Sequence, residues 1–271
     1  MKRLVILSFI LLSLSAFTQP ESTDFDRYLL RSTPVSKGEL LEFKLSYGWF
    51  TMGKASLTVS DNYEVLRDRE CYKVEVEGKT AGILGAFSKV DDYWKSYVSK
   101  DDLLPLEAHS DLQEGRYMRK EKVIFDQERG MITVDMIKRN KKRPIKVYEV
   151  EGVIHDLLSG YVNLRTINYN RLEEGDTVRF KAFYDEEFYD FGFIYDGREN
   201  VNTDVGELIA HKIVPLLPEN KIFPGTNPIT AWISADLNQL PLLVKAKMFF
   251  GTAYVELTGY KNIKYGPDFQ E

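Results

Sequence analysis

The chain has 271 residues, 44% of them hydrophobic, 13% aromatic and 28% charged, with 36 Lys+Arg against 41 Asp+Glu and one cysteine. The acidic balance disfavours nucleic acid as a partner, because phosphate binding needs clustered positive charge. One cysteine excludes an internal disulfide, so stability must come from burial, and this length can bury a sizeable core.

Lys2 and Arg3 open the chain, and an apolar run from Leu4 to Phe17 follows, relieved only by Ser8, Ser13 and Ser15. This run falls short of the roughly 20 residues of a membrane span and has the three-part form of a cleavable secretory signal. Ala16 and Thr18 flank a cut near Thr18/Gln19, which predicts a periplasmic protein. Loss of Lys2 and Arg3 takes the net charge from −5 to about −7. The leader has no cysteine, which excludes a lipid-anchored lipoprotein, and no later apolar run suggests a transmembrane segment in the mature chain.

Residues 19–36 are polar and read as a flexible lead-in. From residue 37 the pattern is that of strands. Leu41, Phe43, Leu45 and Tyr47 alternate with polar residues, and Ala55, Leu57 and Val59 repeat the pattern after a turn near Gly48 and Gly53. Tyr72, Val74 and Val76, then Val90, Tyr93 and Tyr97, then residues 123–125 and 131–136 continue a series of antiparallel hairpins. The run Lys138-Arg139-Asn140-Lys141-Lys142-Arg143 reads as a solvated hairpin tip, with contact to anionic lipid headgroups as its minor reading. Residues 155–166 break the pattern. Apolar residues at 157, 158, 161, 162 and 164 have helical spacing behind Asp156 as N-cap, although Gly160 weakens a helix. Strands resume at 177–183, 187–195, 207–215, 229–234, 241–249 and 252–258.

The predicted fold is mainly β: one large curved antiparallel sheet or incomplete β-barrel with about one α-helix. It forms a single domain over 37–262, followed by a tail at 263–271. Residues 38–47 and 175–184 share Gly, Phe, Lys and Tyr at matching positions, which suggests that each opens half of the sheet.

Little in the chain reads as chemistry. His109, His155 and His211 have no ligand spacing, and no nucleophile elbow or phosphate loop is present, so no catalytic residue, metal or cofactor is predicted. Cys71 sits in a strand pattern and reads as a small buried hydrophobe. The paired acids Asp91-Asp92, Asp101-Asp102, Glu173-Glu174 and Glu186-Glu187 leave open an envelope carbohydrate-active enzyme, which needs two carboxylates facing one cleft. The aromatics are more informative. Phe180, Tyr189, Phe191, Phe193 and Tyr195, with Trp94, Trp232 and Phe249, are the candidate lining of an apolar cavity; filling the core is the plainer alternative. Trp232, Ser234 and Asp236 share a strand face, where Asp236 also suits a turn cap.

These motifs together resemble a bacterial family, the domain-of-unknown-function 3108 family. The resemblance rests on Gly38-Glu39-x-Leu41-x-Phe43-x-Leu45-x-Tyr47, on Gly53-x-Ala55-x-Leu57-x-Val59, on Asp156-Leu157-Leu158-Ser159-Gly160-Tyr161 with Leu164-Arg165, on residues 232–236 with Pro241, and on Gly251-Thr252-Ala253. It implies an exported, β-rich envelope protein of Gram-negative bacteria without assigned activity, and it carries over no catalytic residue. A looser fold-level similarity is to periplasmic lipoprotein carriers, which hold acyl chains in an open half-barrel. The leading expectation is therefore a periplasmic protein binding a lipid-like ligand on its concave face. Its rival is a non-catalytic interaction or scaffold protein with a packed interior and an envelope protein partner. Interior volume separates the two.

Overall fold

A computed structural model describes residues 33–81, 90–216, 228–248 and 251–266. The leader, nearly all of the lead-in, Phe249 and most of the tail lie outside the described residues. In chain order the strands are β1 (Leu40–Tyr47), β2 (Phe50–Val59), β3 (Glu64–Leu66), β4 (Arg69–Thr80), β5 (Asp91–Ser99), β6 (Pro105–Glu114), β7 (Tyr117–Asp126) and β8 (Met131–Lys138). Two short strands follow, β9 (Lys141–Lys142) and β10 (Lys146–Glu149), and then one helix, α1 (Leu157–Leu164), and a 3-10 turn (Tyr169–Arg171). The second half holds β11 (Thr177–Tyr184), β12 (Glu187–Thr203), β13 (Gly206–Pro215), β14 (Ile229–Ser234), β15 (Pro241–Met248) and β16 (Gly251–Lys261).

All of these strands form one antiparallel sheet with the order β10-β8-β7-β6-β5-β4-β2-β1-β16-β15-β14-β13-β12-β11, β3 and β9 pairing off this path. β1 and β11 each open a meander running the same way round the sheet, each behind a glycine at positive φ, Gly38 and Gly175. The two halves join where the last strand returns to the first, Leu40 opposite Lys261.

Period-two alternation sorts the side chains. One cross-strand row runs Leu41, Leu57, Val76, Trp94, Ser110, Glu121, Met136, and another links the halves through Ile213, Ala231, Val244, Val255 and Leu45. These residues face inward, where hydrophobic clusters and α1 pack on the concave side, the first cluster also taking in outer-face residues of β12–β14. The outer face carries the opposite alternation, as in the row Thr58, Glu75, Lys95, His109, Lys122, Asp135. Lys122 pairs with Glu107 and Lys73 with Glu75 across this solvated face.

The helix is held by its cap. The Asp156 carboxylate accepts from the N–H of Leu158 at 2.6 Å and of Ser159 at 3.0 Å, Ser159 Oγ accepts from the Asp156 N–H, and Ser96 Oγ of β5 donates to Asp156 at 2.5 Å. One carboxylate thus starts the helix and ties it to the sheet. Gly160 lets the helix sit close to β11: a Cβ there would stand 3.0 Å from Phe180 Cε2, so that ring would have to shift by a few tenths of an ångström. At the helix end, Arg165 is 1% exposed and Glu39 fully buried. Their bidentate pair, at 2.5 and 3.1 Å, is completed by the Tyr161 hydroxyl at 3.1 Å and the Asn238 carbonyl at 3.0 and 3.1 Å. Burial acts against the Arg165 charge, and the Tyr161 and Glu39 groups outweigh it, so the guanidinium stays protonated.

The two ends of the sheet approach without closing. His155 makes a lone parallel bridge to Ala182, Arg119 pairs with Asp185, and Lys146 of β10 pairs with Glu186 at 2.7 Å. Tyr148 packs edge-on to Phe188 and against Phe183 across the same seam.

Strand lengths depart from expectation in places. β12 runs to Thr203 rather than stopping at Tyr195, because a bulge between Tyr195 and Arg198 absorbs the turn-like Asp196-Gly197 and the ladder resumes. β16 likewise extends to Lys261 through a bulge opposite Glu42/Phe43.

Candidate functional site

The predicted aromatic strip forms. Phe180, Tyr189, Phe191, Phe193 and Tyr195 line the inner face of β11 and β12. Tyr189 stacks on Phe191 at 5.4 Å, and Phe180 meets Phe191 at 5.9 Å. Its Phe193–Tyr195 part is covered from within. Tyr169 of the 3-10 turn packs on Phe193 at 5.9 Å and stacks on His211 at 5.0 Å, while Ile167 and Leu172 close the cluster. Phe180 lies under α1, edge-on to His155 at 5.8 Å. The Tyr195 hydroxyl is 3.1 Å from His211 Nδ1, and burial pushes both His155 and His211 down to about 4, so both are neutral packing groups at neutral pH.

Trp94 faces inward from β5, away from this strip, and lines a cavity of about 40 Å³ with Ser110, Glu121, Asp156, Phe183 and Tyr184. Pockets that take drug-sized ligands measure roughly 300–1,000 Å³. The cavity is therefore water-sized, and its walls are mostly apolar. The Trp94 Nε1 on its wall has no hydrogen-bond partner among the described protein groups, nor do one oxygen of Asp92 and the Arg119 Nε elsewhere on the inner face. Burial acts against the Arg119 charge, but Glu121 and Asp185 outweigh it, so it remains a cation; burial raises Glu121. Burial pushes Asp92 up to about 6, opposed by the Gln113 N–H at 2.9 Å.

Trp232 is on the other face. It shares the outer row Lys212, Trp232, Leu243, Glu256, Lys44, and its Nε1 donates to Glu199 at 2.5 Å. The far end of the β12–β13 hairpin folds back over it: Asp204 pairs with Lys44 at 2.6 Å, and Val201 and Leu208 join Trp232 in one cluster. Asp236 caps the following turn, accepting from Ser234 Oγ and from the N–H groups of Asn238 and Gln239. The structure thus brings five of the eight candidate residues together, separates Trp94 and Trp232 from them, and leaves Phe249 outside the described residues. Sequence reasoning missed the Arg119-Glu121-Asp185 group. The i, i+2 spacing of Arg119 and Glu121 was visible, but the closure that delivers Asp185 was not.

Among the described residues no three His, Cys, Asp or Glu side chains are placed to hold a metal ion. No helix there is long and apolar enough to cross a membrane. Cys71 is buried in β4, and burial raises its thiol.

No curated protein matches the sequence. Among solved structures, the chain is similar to a β-barrel-like protein of the domain-of-unknown-function 1849 family from Brucella abortus, at 8% identity and TM-score 0.55, over 86% of this chain and 98% of that one. A candidate exported protein with a YmcC-like fold from Bacteroides fragilis aligns at 10% identity and TM-score 0.37, over 87% and 99% of the two chains. A candidate lipoprotein from Parabacteroides distasonis aligns at 11% and 0.33, over 86% and 99%. The first likeness concerns fold alone. A model of the family described as protein of unknown function DUF3108 matches residues 42–258, nearly the whole sheet, and the chain belongs to that family.

Proposed function

We propose that this chain is a non-catalytic protein of the cell envelope, exported on its N-terminal signal, that acts through its outer surface and loops rather than by carrying a ligand inside its sheet. The observation that carries this reading is the packing of the concave side among the described residues: hydrophobic clusters and α1 cover it, and the cavity beside Trp94 measures about 40 Å³. A lipid chain needs several times that volume. The lipid-like ligand expected from the aromatic strip draws no support from this interior, because Tyr169, Ile167 and Leu172 occupy the space the ligand would take. The basic start and apolar run of residues 1–18 support export. Native mass spectrometry of protein purified from the envelope tests both parts. The expected mass begins at about Gln19 with no lipid bound. One bound lipid per chain overturns the packed-interior reading, and a retained leader overturns the cleaved-signal reading.

A further inference from the structure

From the end of the sheet where β1 turns into β2, we infer that the protein docks this rim on an anionic membrane surface. The inference rests on the envelope location proposed above. Strict antiparallel order puts the β1–β2, β6–β7, β8–β9 and β11–β12 turns at one end. At the first of these turns Trp49 is 88% exposed and Phe50 57%, their rings 4.7 Å apart. A tryptophan held this far into water gains from moving to a bilayer interface, where an apolar ring with a polar N–H is at home.

The neighbouring turns at this end are basic. Arg116, Arg139, Lys141 and Arg143 are exposed and have no ion-pair partner among the described residues. Four acids at these turns are held by other cations, Asp185 by Arg119, Glu186 by Lys146, Asp135 by Lys142 and Asp111 by Lys120, and Glu114 and Glu187 also stand there. Among the described turns at this end the four free basic residues outnumber the acids not held by other cations, although the chain as a whole is at −5. The opposite end has a different character. Its described turns carry Asp61, Asp68, Asp101, Glu128, Glu151 and Asp236 against the basic residues Arg67, Lys100 and Arg129, the last two held by Glu70 and Asp126, and its exposed aliphatics Val65, Val153 and Leu237 stand within a few residues of these acids. The molecule is thus electrically polarised along the strand direction and would approach a negative surface with the Trp49 end first.

A membrane fits this arrangement better than a protein partner does. β2 and β8 are five strands apart, roughly 24 Å around the sheet at about 4.8 Å per strand. The aromatic pair and the basic turns therefore make no contiguous patch. They are spaced points on a rim, which a flat, deformable, negatively charged surface can touch together.

The test is flotation of the purified protein with vesicles of phosphatidylcholine alone and of equimolar phosphatidylcholine and phosphatidylglycerol, with tryptophan emission followed in parallel. Trp232 is buried and Trp94 half-buried, so a blue shift on binding reports chiefly on Trp49. Binding is expected to the anionic vesicles only and to weaken in about 0.5 M salt. Lys141→Gln with Arg143→Gln is expected to lower partitioning about 30-fold, at about fivefold per basic residue near the surface. Trp49→Ser with Phe50→Ser is expected to weaken binding and remove the blue shift. These side chains are exposed, so folding is preserved, which an unchanged thermal midpoint verifies. No binding to anionic vesicles, or binding that both variant pairs leave intact, overturns the inference. So does a photo-crosslinker at position 49 that yields protein adducts and no lipid adducts in cells. Any of these leaves the packed-interior reading standing, whereas a lipid extracted from within the sheet overturns that reading and not this one.

Discussion

Arg165 and Glu39 are 126 positions apart in sequence and yet form the most enclosed ion pair in the described structure. All five guanidinium N–H groups find acceptors, so the pair is a satisfied junction between the start of β1, the end of α1 and the β14–β15 turn. Removing one partner leaves a buried charge alone. Arg165→Met is expected to cost about 3–5 kcal/mol in urea unfolding, and adding Glu39→Leu to recover much of it. Asp92 behaves in the opposite sense. Its burial holds the folded-state value at about 6 against an ordinary 3.8, so the native state binds the proton more tightly than the unfolded chain. The carboxylate therefore costs stability above about pH 6, and the cost fades as pH falls toward 3.8. Asp92→Asn is expected to gain about 1–3 kcal/mol over the wild type at pH 7 and to lose that advantage by pH 4, read as the difference between the two stability-pH curves.

Among the elements, α1 owes its place to Asp156. Asp156→Ala removes two N–H acceptors at the first turn and strands the Ser96 hydroxyl, for an expected loss of about 2–3 kcal/mol in thermal unfolding. Much of this level was legible in sequence. Alternation located most of the long strands, and β14 has the bounds read from the sequence, but β6 (Pro105–Glu114) and the short strands β3, β9 and β10 were not read. The apolar spacing behind Asp156 located the helix. What could not be read was long-range. Alternation shows that Trp232 and Ser234 share a face, but only the pairing of Trp232 with Lys212 and Leu243 shows that this face is the outer one. Asp196-Gly197 looks like a turn in isolation, and only its partner strand reveals a bulge. Gly160 looks like a helix defect until Phe180 is placed against it. The aromatic strip was read correctly as one face, while the segment that covers it, Ile167 to Leu172, gives no sign in sequence of which surface it will meet.

At the scale of the whole molecule, the curled sheet is pinned across its open seam by side chains rather than by a ladder: Arg119 to Asp185, Lys146 to Glu186, and the single bridge at His155. Ladders resist opening more than exposed ion pairs do. Asp185→Asn with Glu186→Gln is expected to speed hydrogen exchange in β10 and β11 and to leave β1 and β16 unchanged. Uniform change across the sheet would show that the seam and the ladders open together.

The pairing of β16 with β1 also sets an order of events. A chain made from its N-terminus delivers β1 first, and β1 then waits with one edge bare until the final strand arrives. Every earlier hairpin can form as it emerges, but the two halves cannot lock before the C-terminal segment is through. Truncation within Gly251–Lys261 would therefore do more than shorten the protein. It would leave two half-sheets, each with an uncovered edge open to aggregation.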